Sequence, residues 1–159
     1  MSSPHGARTS MRSVNPPSIL LDTNVLLAYL YASHLRHQAV VARILQLQAA
    51  GYTLLIAPQC LYELYVVATR PTDQNGLGLS PHAADQYIQY LLNVFTLLED
   101  TPSTVQEWRT LCQTYQVSGK RAHDVRLVAW MQKHGVQELL TLNPNDFQAF
   151  QGTITVRQV

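Results

Sequence analysis

At 159 residues, with a formal net charge of +1 and only 13% charged side chains, the chain has room for one domain with a sizeable core and no broad basic surface for non-specific nucleic-acid binding. Any nucleic-acid contact is therefore expected to be local. Two cysteines, Cys60 and Cys112, lie far apart and outside any Cys-x-x-Cys pair, which excludes a disulfide scaffold and a structural zinc site. No run approaches the roughly 18 apolar residues of a membrane span, so a reduced, cytoplasmic protein is expected, neither secreted nor inserted in a membrane.

Residues 1–17, rich in Ser, Pro, Gly and Arg and lacking periodicity, are expected to be a disordered tail, leaving 18–159 as the folded domain. The apolar run Ile19-Leu20-Leu21 does not alternate, which suits a strand buried on both faces of a parallel sheet. Asp22 ends that strand, and Thr23 or Asn24 is expected to cap a helix reaching Tyr31. A second helix is predicted from His34 to Ala50, with Val40, Val41, Ile44, Leu45 and Leu47 inward. His34 and His37 stand one turn apart without a third ligand and read as a surface pair.

Thr53 to Ala57 reads as a second buried strand, and Pro58 suits the first turn of a helix reaching Thr69. That helix is apolar nearly all round, yet it carries Glu63. A buried unpaired carboxylate costs several kcal/mol or is forced neutral, so Glu63 needs a partner. Arg70, seven residues on and on a similar face, offers an ordinary ion pair. Thr72 to Ser80, with Asn75-Gly76 and Gly78, reads as an exposed mobile loop. Beyond it come a helix from Pro81, a strand near Val94–Leu98, and a helix from Pro102 to Tyr115 capped by Thr101. A helix from Ala122 to His134 has Asp124 in its first turn, where the helix dipole favours a carboxylate whatever its role. Leu139 to Leu142 is a fourth strand. Asn143-Pro144 reads as a cap and first-turn proline opening a short helix, and Thr153 to Val156 alternates as an edge strand does. Strands alternating with helices specify a three-layer α/β/α domain with a mainly parallel sheet.

Asp22, Glu63 and Asp124 all fall at the crevice end of such a sheet, where ligands gather in open α/β folds, and Asp146 follows strand four. The combination of Leu-Leu-Asp-Thr-Asn-Val-Leu, the isolated helical Glu63, His-Asp-Val-Arg-Leu-Val-Ala and Thr-Leu-Asn-Pro-Asn-Asp-Phe resembles the PIN domain, and most of all the toxin nuclease of VapBC toxin-antitoxin pairs. The resemblance spans about residues 18–156. It implies five strands in the order 3-2-1-4-5 and a metal-dependent endoribonuclease that hydrolyses RNA with metal-activated water. It also implies a homodimer and a cognate VapB-like antitoxin.

Asp22, Glu63 and Asp124 would then be catalytic and metal-binding. The family often has a further acid near the position of Asn143, so the fourth place falls to Asn143 or to Asp146. Thr23, Asn24 and Thr141 stand beside these acids and would orient them, although capping explains the first two equally well. Two carboxylates about 5 Å apart repel by roughly 3 kcal/mol at an effective dielectric of 20, so such a cluster persists only with protons or cations. An all-oxygen set suits Mg²⁺ or Mn²⁺, whereas zinc recruits His or Cys. Lys120, Arg121, His123 and Arg126 flank Asp124 and would hold RNA phosphates, a solvated basic helix end being the plainer reading of each. Two other classes compete. One is a catalytically silent PIN-like domain docking a basic peptide in its acidic pocket. The other, a haloacid-dehalogenase phosphatase, needs Asp-x-Asp, and Asn24 stands at the second position.

Overall fold

Four residues, Ser18–Leu21, form the central strand β1, hydrogen-bonded in parallel to β2 (Thr53–Ile56) on one side and to β4 (Glu138–Thr141) on the other. Helices cover both faces, so Ile19, Leu20 and Leu21 are all fully buried, and the unalternating apolar run has its explanation. β3 (Thr96–Leu97) extends the sheet beyond β2, and β5 (Thr155–Gln158) extends it beyond β4. All pairings are parallel and the order is 3-2-1-4-5, as expected. The strand order reverses direction between β1 and β4, which makes the carboxyl ends of those two strands the natural ligand crevice.

The computed structural model describes residues 15–159. The predicted tail therefore lies outside the described residues except for 15–17, where the Pro17 carbonyl accepts from the Thr53 N–H at 2.8 Å. The helices are α1 (Thr23–Leu30), α2 (His37–Ala49), α3 (Pro58–Thr69), α4 (Pro81–Val94), α5 (Thr104–Thr114) and α6 (Arg121–His134). Between α1 and α2 the chain turns through main-chain bonds from His34 to Tyr31 and from His37 to His34, so α2 begins three residues later than predicted. Leu45, expected inward, is 60% exposed, because Val40, Ile44 and Leu47 already fill the inner face. Thr101 does not cap α5. It closes a turn of its own, donating its N–H to Thr104 Oγ1 at 3.0 Å, and the helix starts only at Thr104.

β3 is shorter than predicted because α4 runs on through Val94 and Phe95 turns into the core. β5 starts two residues late because the Thr153 and Ile154 N–H groups donate to the Phe150 carbonyl. The segment after β4 is a 3₁₀ helix, Pro144–Phe150. Nor is Thr72–Ser80 a loose loop. Leu77, Gly78 and Leu79 donate main-chain bonds to Val67, Arg70 and Ala68, stitching it to the end of α3. Gly76 is required there, since a Cβ would stand 1.9 Å from the Arg70 carbonyl oxygen.

Candidate active site

Asp22 directly follows the last residue of β1 and is the first of the turn into α1. Its N–H donates to the Leu140 carbonyl at 3.0 Å, and its own carbonyl accepts from Val25 and Leu26. Its Oδ1 accepts from the Thr23 N–H at 2.8 Å, so Asp22, rather than Thr23 or Asn24, is the helix cap. That frees both neighbours for tertiary bonds. Thr23 Oγ1 donates to Glu63 Oε2 at 2.8 Å. Asn24 donates to Thr141 Oγ1 at 3.3 Å and accepts from the Leu142 N–H at 3.1 Å, pinning α1 to the end of β4.

The buried Thr141 hydroxyl donates to Asp22 Oδ2 at 2.8 Å while accepting from Asn24 and from the Asn143 N–H. A hydroxyl has one proton and two lone pairs, so all its capacity is committed and Asp22 is held in one orientation.

Glu63 finds its partner across the crevice and on its own helix, not at Arg70. Its second oxygen accepts from Gln59 Nε2 at 2.8 Å, and the same amide also donates to the His123 carbonyl at 2.8 Å. Arg70 reaches the Asn75 carbonyl instead. Gln59 thus ties α3 to the residue immediately before Asp124, a role that its sequence context does not announce. Its only signal was its place four residues before Glu63 on an apolar helix. Gln59 is 5% exposed, and among the described residues its Oε1 has no hydrogen-bond partner.

Asp124 is half-buried in the first turn of α6, and Asp146 is exposed on the 3₁₀ helix. The two line an open cavity of about 500 Å³ together with Arg121 and Asn145. Burial, more than anything, pushes the Asp22 carboxyl up to about 6, with the charges of Glu63 and Asp146 adding to it against the bonds from Thr141 and Thr23. Asp124 is also pushed up to about 6, by burial first and then by Asp146, Asp22 and Glu63, while Arg121 opposes.

Carboxylates from four segments therefore feel one another. Among the described residues no three His, Cys, Asp or Glu side chains form a ready metal cage, so the acids make an open cluster. Asn143 occupies the cap position of the 3₁₀ helix, but its side chain makes no capping bond. With about three residues per 3₁₀ turn, Asp146 lies one full turn beyond Asn143. Of Asn143 and Asp146, only Asp146 carries a charge, and it adds to those acting on Asp22 and Asp124. Lys120 and Arg121 are exposed at the start of α6. Arg126 is turned to the other flank, where it pairs with Asp100 at 2.8 Å.

A parallel 3-2-1-4-5 sheet with acids gathered at its reversal point defines an acidic-crevice α/β class, and the PIN-domain model matches residues 19–152. The chain belongs to the PIN-domain family. It is 30% identical over 131 residues to Ribonuclease VapC24 of Mycobacterium tuberculosis, an alignment covering 82% of this chain and 89% of that protein. The VapBC-1 structure from nontypeable Haemophilus influenzae shares the fold with a TM-score of 0.66 at 17% identity, over 89% of this chain and 97% of the other. Mycobacterium tuberculosis VapC20, a toxin that cleaves the sarcin-ricin loop, aligns with a TM-score of 0.56 at 21% identity, over 76% and 86%. No helix among the described residues is long and apolar enough to cross a membrane.

Proposed function

We propose that this protein is an endoribonuclease, the toxin of a type II toxin-antitoxin pair, which hydrolyses RNA phosphodiesters in the acidic crevice with Mg²⁺ or Mn²⁺ as its cofactor. The observation that carries this reading is the gathering of Asp22, Glu63, Asp124 and Asp146 at one crevice, where burial and then the neighbouring charges hold Asp22 and Asp124 above the ordinary carboxylate range, a strain that a divalent cation relieves. Its donors are all hard oxygens, as Mg²⁺ and Mn²⁺ prefer. The open arrangement suits an ion that keeps several waters rather than one enclosed by protein. Gln59 Oε1, buried without a donor among the described residues, fits the same hydrated setting as an acceptor for such a water.

When bound, the ion would supply charge stabilisation at phosphorus and lower the pKa of a water. The chain's own residues do the positioning. Thr141 and the Thr23 N–H orient Asp22, Thr23 and Gln59 orient Glu63, Asn24 fixes the end of β4, and Lys120 and Arg121 hold RNA phosphates at the mouth of the crevice. Attack by water breaks the bond from phosphorus to O3′, so the products carry 5′-phosphate and 3′-hydroxyl ends. Mass spectrometry of a short cleaved RNA tests this. A 2′,3′-cyclic phosphate would mean attack by the ribose hydroxyl and base catalysis by a side chain such as His123.

The fourth position is assigned to Asp146. Asp146→Asn should weaken cation binding, measured by calorimetry, and slow cleavage by about tenfold or more. Asn143→Ala should change either by much less, and Asn143→Asp should be tolerated. Unchanged affinity and rate in Asp146→Asn would reduce the site to Asp22, Glu63 and Asp124.

The reading places the protein in the cytoplasm with a VapB-like antitoxin as partner, whose Arg would enter the acid cluster, a planar fork suiting carboxylates better than Lys. It also carries a homodimer. Tyr62, Tyr65 and Val66, which stand exposed along one face of α3, favour that assembly.

A further inference from the structure

The flank of α6 turned away from the acids borders a second cavity, of about 360 Å³, lined by Asp100, Thr101, Val105, Trp108, His123 and Arg126. This volume lies at the lower end of the roughly 300–1,000 Å³ typical of small-molecule sites. Its walls combine an aromatic ring with an ion pair. The Trp108 indole N–H donates to the Ala122 carbonyl at 2.8 Å, which fixes the ring, and Arg126 Nη2 meets Asp100 Oδ2 at 2.8 Å. That pair engages one oxygen and one nitrogen only. Among the described residues Asp100 Oδ1 and Arg126 Nη1 have no hydrogen-bond partner.

We propose that this cavity is a nucleobase subsite that takes one unpaired guanine of the RNA strand cut in the neighbouring crevice. The proposal rests on the ribonuclease reading for the identity of its ligand. Unpaired RNA bases are recognised by stacking on aromatic rings and by hydrogen bonds along their Watson–Crick edge. On that edge guanine presents two adjacent donors, N1–H and the 2-amino group, beside the O6 acceptor. Asp100 and Arg126 present the complement, a carboxylate beside a guanidinium. Adenine and cytosine would set a ring-nitrogen acceptor against the carboxylate, and uracil has one donor flanked by two carbonyls.

The placement fits a strand that passes through both sites. Ala122 and His123 belong to the cavity wall, while Asp124 faces the acids across a helix about 10–12 Å wide. Lys120 and Arg121, exposed at the same helix start, stand where the intervening phosphates would run. The His123 carbonyl, held by Gln59, couples this wall to Glu63.

Tryptophan fluorescence tests the proposal directly, because the chain has two tryptophans and Trp130 is only 1% exposed, leaving Trp108 as the accessible reporter. The full chain is titrated in EDTA with the trinucleotides 5′-UGU-3′, 5′-UIU-3′ (inosine lacks the 2-amino group), 5′-UAU-3′ and 5′-UCU-3′. UGU should quench with about tenfold or tighter affinity than the other three. Asp100→Asn should abolish that preference with an almost unchanged melting temperature, since a half-exposed ion pair contributes little to stability. Absence of quenching, equal quenching by all four, or guanine preference surviving Asp100→Asn each overturns the subsite. Because binding is read without cation or cleavage, a protein that cuts RNA but does not select UGU sinks the subsite alone. One that selects UGU but cuts no RNA sinks the ribonuclease reading and leaves a guanine-binding cavity without a cleavage site beside it.

Discussion

Asp22→Asn will abolish RNA cleavage and at the same time make the cation-free protein more stable at neutral pH. Asp22 is 8% exposed, and its carboxyl titrates near 6 against 3.8 for an ordinary aspartate, so at pH 7 the folded chain carries an ionised group it would rather hold neutral. At about 1.4 kcal/mol per pKa unit, that difference sets an upper limit of about 3 kcal/mol on the stabilisation gained by removing the charge. Asparagine keeps the shape and an oxygen for the Thr23 N–H, but it faces Thr141 with a donor where the hydroxyl proton now points. Re-partnering that hydroxyl returns part of the gain, leaving about 1–2 kcal/mol. For a domain of this size the rise in melting temperature in EDTA is several degrees.

Cleavage should fall by about a thousandfold or more, since electrostatic stabilisation worth several kcal/mol is lost with the carboxylate. A site that weakens the fold it sits in is what the trade between stability and activity leads one to expect. Cleavage at the parent rate, or a fall in melting temperature, would remove Asp22 from the site.

The same residue shows which parts of this protein were legible in its sequence. β1 was readable because its signal is local: a short apolar run that a sheet covered on both faces demands. The sheet order was implied by the family resemblance, and the acids stood out as charges at crevice positions. The division of labour among Asp22, Thr23 and Asn24 was not readable, since any of the three can cap a helix. What decided it was Glu63, 40 residues on, and Leu142, 118 residues on from Asn24. Gln59 escaped for the same reason. Its role depends on the main-chain carbonyl of His123, 64 residues away, and no side-chain pattern announces an acceptor on the backbone. Arg126 is close to Lys120 and Arg121 in the chain, but helix geometry carries it to the opposite flank and to Asp100. The edge strands β3 and β5 each start two residues later than their sequence pattern suggests, because hydrogen bonds of adjoining helices claim their first residues.

The stability of the cation-free protein should fall as pH rises from about 4 to above 6, and a divalent cation should reverse that fall only at the upper end. Below 3.8 Asp22 and Asp124 are protonated in the folded and the unfolded chain alike, so neither destabilises the fold. Between 3.8 and about 6 the unfolded chain releases these protons first, and stability declines with pH because the folded state binds more of them. Above about 6 both are ionised in the folded state and the loss is complete. The two titrations are linked through their shared charges and through Glu63 and Asp146, so the decline is broader than that of a single group.

Mg²⁺ and Mn²⁺ bind the ionised form, and at about a hundred times the dissociation constant they should add roughly 2.7 kcal/mol. Thermal melts across this pH range, with and without Mg²⁺, should therefore show a small rise in melting temperature near pH 5 and a large one near pH 8. Asp22→Asn and Asp124→Asn should each flatten the dependence and shrink the response to the cation. A rise of equal size at both pH values, or one that persists in full in those variants, would place the cation elsewhere on the protein and leave the acidic crevice as a docking pocket for a basic peptide.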